Sequence, residues 1–350
     1  MGEAEVGGNA KKRSNVSLLA ILVAGLAVFI VLVGLAGASE INVSGSASIK
    51  SVYPTRPVRF VVGLGTGGSN DIIARIIAQK LSELLGKQFL VDNRPGGGGS
   101  LGAEIVARAN PDGYTMLLAN PGPNIINILL RKDLGYTYVD FEPVILIGYA
   151  PLIIVTYPKF PADNAKELVA YAKANAGKIS WGSSGVGSVL HIGLAIFQSA
   201  TGIDAVHVPY KSGGLAISDL IGGQIQVMFT TLTAAEAMLR SGRIKVIGVA
   251  GQSRLEKLPQ VATLSEVDIP NADVLAWYGV LVPAKTPRAV VSVLNAEINK
   301  ILKLADIRQR LGSEGLVFGG GTPEEFATFM KSELDRLATL VKAGRVSYSE

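Results

Sequence analysis

Apolar positions change period partway through residues 58–85. Val58, Phe60, Val61 and Val62 make a short, mostly apolar run, as a buried strand requires. Ile72, Ile73, Ile76, Ile77, Leu81, Leu84 and Leu85 then recur at three- and four-residue spacing, as one face of a helix requires. Between them lies a glycine-rich turn, Gly63, Gly65, Gly67 and Gly68, with Ser69 and Asn70 offered as N-caps. A strand, a tight turn and a helix start bring backbone N–H groups and a positive helix end to one place. Such a place holds an anion, phosphate or carboxylate.

The same punctuation continues down the chain. Gln88 to Val91 predicts a second strand, followed by Asp92-Asn93-Arg94-Pro95 and the run Gly96 to Gly99. Leu101 to Ala109 predicts a helix and Tyr114 to Ala119 a third strand, which stops at Asn120-Pro121-Gly122-Pro123. Alternating strands and helices imply right-handed parallel units. Val144 to Tyr149 and Leu152 to Tyr157 read as two extended runs, the second crossing into another domain. Asn164 caps a helix through Ala174, and Ile179 to Trp181 is a strand. The stretch Gly182 to Ser188 repeats the opening design, as does Pro209 to Gly214 after the strand Ala205 to Val208. A helix over Leu215 to Ile221, a strand over Val227 to Phe229 ending at Thr230-Thr231, and a strand over Lys245 to Ala250 complete this half. Leu275 to Val282 is the return crossing. Helices starting at Thr286-Pro287 and Thr322-Pro323-Glu324-Glu325 cover the first domain. Two similar α/β halves result.

The N-terminus adds a location. Lys11, Lys12 and Arg13 precede an uncharged apolar run, Val16 to Ala36, and Ala36-Gly37-Ala38 has the small residues a signal peptidase needs. Residues 1–38 read as an export signal, with an uncleaved membrane anchor as the competing reading. Either places the body outside the cytoplasm, periplasmic or at the cell surface. Residues 39–52 are a linker.

Composition mostly excludes. The 350 residues are 48% hydrophobic and 17% charged, with 41 glycines, enough for two domains with a core. With no cysteine there is no disulfide and no thiolate metal site; two histidines exclude a histidine-rich one. A net charge of +5 suits an anionic small ligand, and no dense basic stripe interleaved with aromatics points to nucleic acid.

Two enzyme readings remain to be weighed. Gly63-x-Gly65-x-x-Gly68 with Asp92 satisfies a dinucleotide fingerprint. An exported chain meets little soluble nicotinamide, however, and the glycine loop recurs in the other half, as a cleft with two walls requires. Gly182-Ser183-Ser184-Gly185-Val186 approaches a nucleophile elbow but lacks its last glycine. His191 is too close along the same helix to be a base, and His207 reads as structural.

Taken together and in order, several segments carry a resemblance. They are Tyr53-Pro54-Thr55-Arg56-Pro57, Gly67-Gly68-Ser69-Asn70-Asp71 with Ala74-Arg75, Val91-Asp92-Asn93-Arg94-Pro95-Gly96 and Pro111-Asp112-Gly113-Tyr114-Thr115. The others are Ser183-Ser184-Gly185 with His191, His207-Val208-Pro209-Tyr210-Lys211, Trp277-Tyr278-Gly279, and Pro283 with Thr286-Pro287. From Tyr53 to the C-terminus the chain resembles the substrate-binding receptors of tripartite tricarboxylate transporters, the Bug receptors. It departs from their pattern at Gly63-Leu64-Gly65-Thr66, at Thr230-Thr231 where members often have an acidic residue, and at Ser212.

The resemblance implies a two-lobed α/β fold of the type II periplasmic-binding-protein kind, hinged between lobes. Lobe 1 would be 53–151 with 283–350, and lobe 2 would be 152–282 with the hinge crossings. It implies a monomeric receptor without cofactor, catalytic residue or metal. Such a receptor takes a citrate-like acid, a dicarboxylate or an acidic amino acid to a membrane permease. The alternative is an exported enzyme acting on an anionic substrate, or less so a dinucleotide-binding oxidoreductase. Expected ligand-binding residues in lobe 1 are Thr66, Gly67, Gly68, Ser69, Asp71 and Asn120. In lobe 2 they are Ser183, Ser184, Gly185, His191, Tyr210, Lys211 and Thr230. Backbone N–H groups of the Thr66–Ser69 and Ser183–Gly187 loops would hold the carboxylates, with the hydroxyls of Ser183 and Ser184 assisting. Asp71 would order the helix start rather than meet a like charge.

Overall fold

The computed structural model describes residues 53–312 and 315–344. The segments 1–38 and 39–52, read above as export signal and linker, lie outside them.

Strands β1 (Val58–Val62), β2 (Phe89–Asn93) and β3 (Thr115–Ala119) pair in parallel in the order β2-β1-β3. Helices α1 (Ser69–Leu85) and α2 (Ser100–Ala107) make the crossovers. The strand after β3 is β4 (Phe141–Thr156), and α3 (Ala165–Ala174) follows it. The Asn164 side chain caps α3 by accepting the Glu167 N–H at 2.9 Å. Then β5 (Ile179–Ser183), α4 (Val189–Thr201), β6 (Ala205–Pro209), α5 (Gly213–Ile221) and β7 (Val227–Thr230) repeat the first unit, with parallel order β6-β5-β7. Helix α6 (Leu232–Arg240) leads to β8 (Lys245–Ala250), then to β9 (Leu275–Pro283), α7 (Arg288–Ile301), β10 (Val317–Gly320) and α8 (Pro323–Lys342).

The two predicted runs around Ala150 are one strand. β4 pairs antiparallel with β9 over its first part and with β7 and β8 over Leu152–Thr156. Pro143 and Pro151 lack an N–H and so read as breaks. Register shifts between Pro143 and Ile145, and between Leu146 and Gly148, let the strand bend instead of ending. One ten-stranded path, β2-β1-β3-β9-β4-β7-β5-β6 with β8 and β10 on β4, runs through both lobes. β9 joins the first half of the sheet, between β3 and β4.

Each half has an aromatic anchor. Trp181 is fully buried with Phe197 and Phe229 at 5.4 and 5.3 Å. Trp277, also fully buried, meets Phe326 and Phe329 of α8 edge-on, each at 5.9 Å. A capping box of Thr322 and Glu325, with Pro323 at the first turn, starts α8 where the sequence signal placed it. α7 is tied to the first half by Asn295, whose amide donates to the Val144 carbonyl at 2.8 Å. Among the described residues, no helix is long and apolar enough to cross a membrane.

Candidate functional site

In both halves the strand order reverses at the first strand, β1 in one and β5 in the other. A crevice at the carboxyl ends of strands follows from that topology. The residues after β1, β3, β5 and β7 all reach one cavity, with β9 as its floor. Leu64, Gly68, Ser69 and Asn70 come from the first loop and α1, and Asn120 and Pro121 from the end of β3. Ser184, Val189 and Leu190 face them from the second half, with Gly213, Thr230 and Thr231. Ala276, Trp277 and Tyr278 complete the floor.

No Asp, Glu, Lys, Arg or His stands among these lining residues. The positive potential comes from backbone instead. Within the described residues, no acceptor takes the N–H of Gly68, Ser69 or Asn70, at the start of α1, nor of Ser184 in the loop after β5, nor of Val189, Leu190 or Gly213, at the starts of α4 and α5. All seven belong to lining residues. Free N–H groups at several converging helix ends attract one anion and let it leave, since no formal cation holds it.

The loops of the two halves are already in contact. Gly65 N–H donates to the Lys211 carbonyl at 2.8 Å. The phenol of Tyr278 donates to Ser69 Oγ at 2.8 Å, and burial pushes its pKa up to about 12. A Cβ on Gly214 would stand 2.8 Å from the Gly67 carbonyl carbon, so only glycine fits there. With the loops in contact, the cavity leaves about 20 Å³ of room for water, little more than one molecule needs.

Of the residues expected from sequence, Gly68, Ser69, Asn120, Ser184 and Thr230 line the cavity. The others are elsewhere. Thr66 and Gly67 border a neighbouring groove with Gly214, Leu215 and Met238. The Gly67 N–H is taken by Asp71 Oδ2 at 3.1 Å, which turns the carboxylate away from the cavity and orders the loop. Asp71 Oδ1 is 2.8 Å from Arg75, an ion pair by distance but not aligned as a hydrogen bond. Ser69 and Asn70 are the first residues of α1 rather than its caps; Gly68 holds the N-cap position without a side chain.

Ser183 is fully buried behind the second loop. Its Oγ lies 2.6 Å from His207 Nε2 and accepts the Gly185 N–H at 3.0 Å. His191 Nδ1 accepts the Gly187 N–H at 3.2 Å, so neither of those glycine N–H groups is free for a ligand. Gly185 carries a φ of +116°, and Lys211 points its side chain to solvent. The Tyr210 phenol donates to Asp219 at 2.7 Å, and burial and that carboxylate push its pKa up to about 12.

Leu190, Thr231, Trp277 and Tyr278 line the cavity without having been expected at the site. Nothing local in the sequence places β9 beneath the glycine loop some two hundred residues earlier. The only pointer was the segment Trp277-Tyr278-Gly279 itself.

Comparison with known proteins agrees with this architecture. Residues 73–345 match the tripartite tricarboxylate transporter family receptor, TctC. Protein BugT of Bordetella pertussis is 31% identical over 292 residues, 83% of this chain and 90% of that one. A Rhodopseudomonas palustris protein solved with adipate has a TM-score of 0.80 at 31% identity, covering 83% of this chain and 97% of its own. MatC of the same organism, solved with bound malate, has a TM-score of 0.79 at 29% identity, covering 83% and 100%. The chain belongs to the tripartite tricarboxylate transporter receptor family, the Bug receptors.

Proposed function

We propose that the chain is an extracytoplasmic receptor that captures a small organic carboxylate between its lobes and delivers it to a membrane permease. The observation that carries this reading is the set of seven free N–H groups around a cavity with no ionised side chain in its wall. An anion there gains hydrogen bonds from both halves at once. A cation or an apolar molecule would leave those donors unpaired. Adipate and malate in the two solved relatives are carboxylates, which supports the same class here.

Entry requires the lobes to part, because their loops are in contact. The lobes are proposed as 53–151 with 283–350, and 152–282, with the change that β9, which pairs with β3 and the first part of β4, goes with the first lobe; β4 is one hinge element. The ligand-binding set is the lining group rather than the whole loops. The receptor is proposed to act as a monomer. Residues 1–38 export or anchor the chain.

A second reading rests on the Ser183–His207 pair, which has the spacing of a nucleophile and base. Three features weigh against it. Ser183 is fully buried, its oxygen already accepts the Gly185 N–H, and among the described residues no carboxylate is bonded to the His207 ring, which stacks on His191 at 4.0 Å. A thermal-shift screen over organic acids tests the receptor reading. A ligand at about a hundred times its Kd adds roughly 2.7 kcal/mol, and so raises the melting temperature. The ligand should be recovered unchanged; conversion of it would favour the enzyme.

A further inference from the structure

The lobes meet at a second place, apart from the Gly65–Lys211 and Gly67–Gly214 contacts. After β2 the chain runs through Gly96 to Gly99, four glycines with φ of +157°, +55°, +61° and +105°. Gly98 of that run lies against the turn Val186-Gly187-Ser188 of the other lobe. A Cβ on Gly98 would overlap the Val186 carbonyl oxygen. It would also stand 2.8 Å from the Gly187 carbonyl carbon and from the Ser188 nitrogen. Two more glycines crowd the same spot. A Cβ on Gly122 would be 2.9 Å from the Gly98 carbonyl oxygen and 3.0 Å from that of Gly187. One on Gly187 would overlap the Asn127 amide oxygen.

Each side is held by its own lobe. Asn127, fully buried, donates to the Gly97 carbonyl at 3.1 Å and to Ser100 Oγ at 2.8 Å. On the other side, the Ser188 N–H donates to the Gly185 carbonyl at 3.1 Å, and Ser188 Oγ accepts the His191 N–H at 3.3 Å. Among the described residues no hydrogen bond joins Gly98, Gly122 or Asn127 to residues 186–188. The two sides fit by shape, backbone on backbone. They can part without breaking a hydrogen bond, but they cannot close over a side chain.

Gly98, Gly122 and Gly187 are not among the lining residues of the ligand cavity. The cavity lies alongside both contacts: Gly65 and Gly213 border it near one, and Pro121 and Val189 near the other. A contact that forms only with the lobes together, and not with the ligand, favours the closed form by one fixed factor whatever is bound.

We propose that Gly98, Gly122 and Gly187 form a closing seat that sets the open–closed equilibrium of the receptor. The seat thereby scales the affinity for every ligand alike while touching none. This rests on the hinged reading above. Ligand meets the open form, so the seat acts on release and not on entry.

The chain has no cysteine, so Lys87→Cys in one lobe and Lys173→Cys in the other, both exposed, give two unique positions for spin labels. Pulsed EPR distances on the full chain then report the open and closed populations, alone and with malate, succinate, adipate or citrate. Gly98→Ala is compared with Gly97→Ala. Both put a Cβ at a left-handed φ in the same run, but at Gly97 it meets the guanidinium end of Arg131 at 3.0 Å and the Ser100 side chain. Backbone strain is therefore matched, and only Gly98→Ala meets the other lobe.

The parent and Gly97→Ala should share one closed population, and Gly98→Ala should lose most of it. Acids that bind the parent should bind Gly98→Ala roughly tenfold or more weakly, through faster release at an unchanged rate of entry. The factor should be the same for each acid. Identical populations and affinities in the two variants overturn the seat and leave the hinge standing. A loss that differs from acid to acid overturns it as well, since the seat does not touch the ligand. A parent that keeps one distance under every condition overturns hinge and seat together.

Discussion

Ser183 Oγ lies 2.6 Å from Nε2 of His207, and the His207 ring stacks on His191 with centroids 4.0 Å apart. The two imidazoles thereby support the second anion loop from behind. His191 holds the Gly187 N–H, and His207 holds the serine that holds the Gly185 N–H. An imidazolium at His191 would have no lone pair for Gly187, so the arrangement requires that ring to be neutral.

That requirement makes the loop sensitive to acid. Burial, and secondarily His191, lower the pKa of His207 from 6.5 to about 4, and burial lowers that of His191 as well. Between those values the unfolded chain binds protons that the folded chain refuses. Stability is therefore fully present above about pH 6.5 and is lost as pH falls toward about 4. Melting temperature and ligand affinity should decline together over that window, and His207→Asn should flatten the decline in melting temperature. A melting temperature independent of pH there would contradict the neutral pair.

The adjacent serines should separate cleanly. Ser184→Ala removes a cavity hydroxyl and should weaken binding by about 1 kcal/mol, roughly fivefold, with little change in stability. Ser183→Ala leaves both the partly buried Gly185 N–H and His207 Nε2 without that partner and should cost roughly 1–3 kcal/mol of stability. Calorimetry and denaturant unfolding on both variants decide it. Equal effects on binding would contradict the placement.

Two glycines test the loops sterically. A Cβ on Gly68 would meet Gly213 N at an ordinary 3.5 Å, so Gly68→Val should fold while its methyl groups fill the anion position. Binding should be lost at an unchanged melting temperature. Gly185→Val adds about 1–3 kcal/mol of backbone strain at its φ of +116°, so loss of binding there would come with loss of stability.

Much of the fold was legible in the sequence because its signals are local. The caps at Asn164 and Thr322, the parallel units and the repeated glycine turn need only near neighbours in the chain. The continuity of β4 was not legible, since Pro143 and Pro151 look like breaks, whereas a register shift opposite β9 absorbs Pro143 and Pro151 pairs with Leu275 in register. At the cavity, Gly68, Ser69 and Ser184 had been singled out from pattern, whereas Thr66 and Gly67 lie on a neighbouring groove. Pattern could not separate Ser183 from Ser184, because the difference lies in where His207 arrives. Nor could it place Tyr278 against Ser69, a contact 209 residues apart.

Closure is testable through Gly214. With the lobes together, its Cβ position is 2.8 Å from the Gly67 backbone, so Gly214→Ala should hinder closing without disturbing α5. Solution scattering should show the parent contracting on addition of a bound acid, with a change in Trp277 emission. The variant should contract less and bind more weakly. A parent whose radius ignores saturating ligand would contradict the hinge.

The most direct measurement compares an acid with its own primary amide. The two are nearly the same size, but only the acid presents an anion to the N–H groups of Gly68, Ser69, Ser184 and Val189. Calorimetry of the parent with a bound organic acid and its amide should give a Kd at least tenfold weaker for the amide, about 1.4 kcal/mol. Amide and acid binding equally well would contradict the claim that converging helix ends hold a carboxylate here.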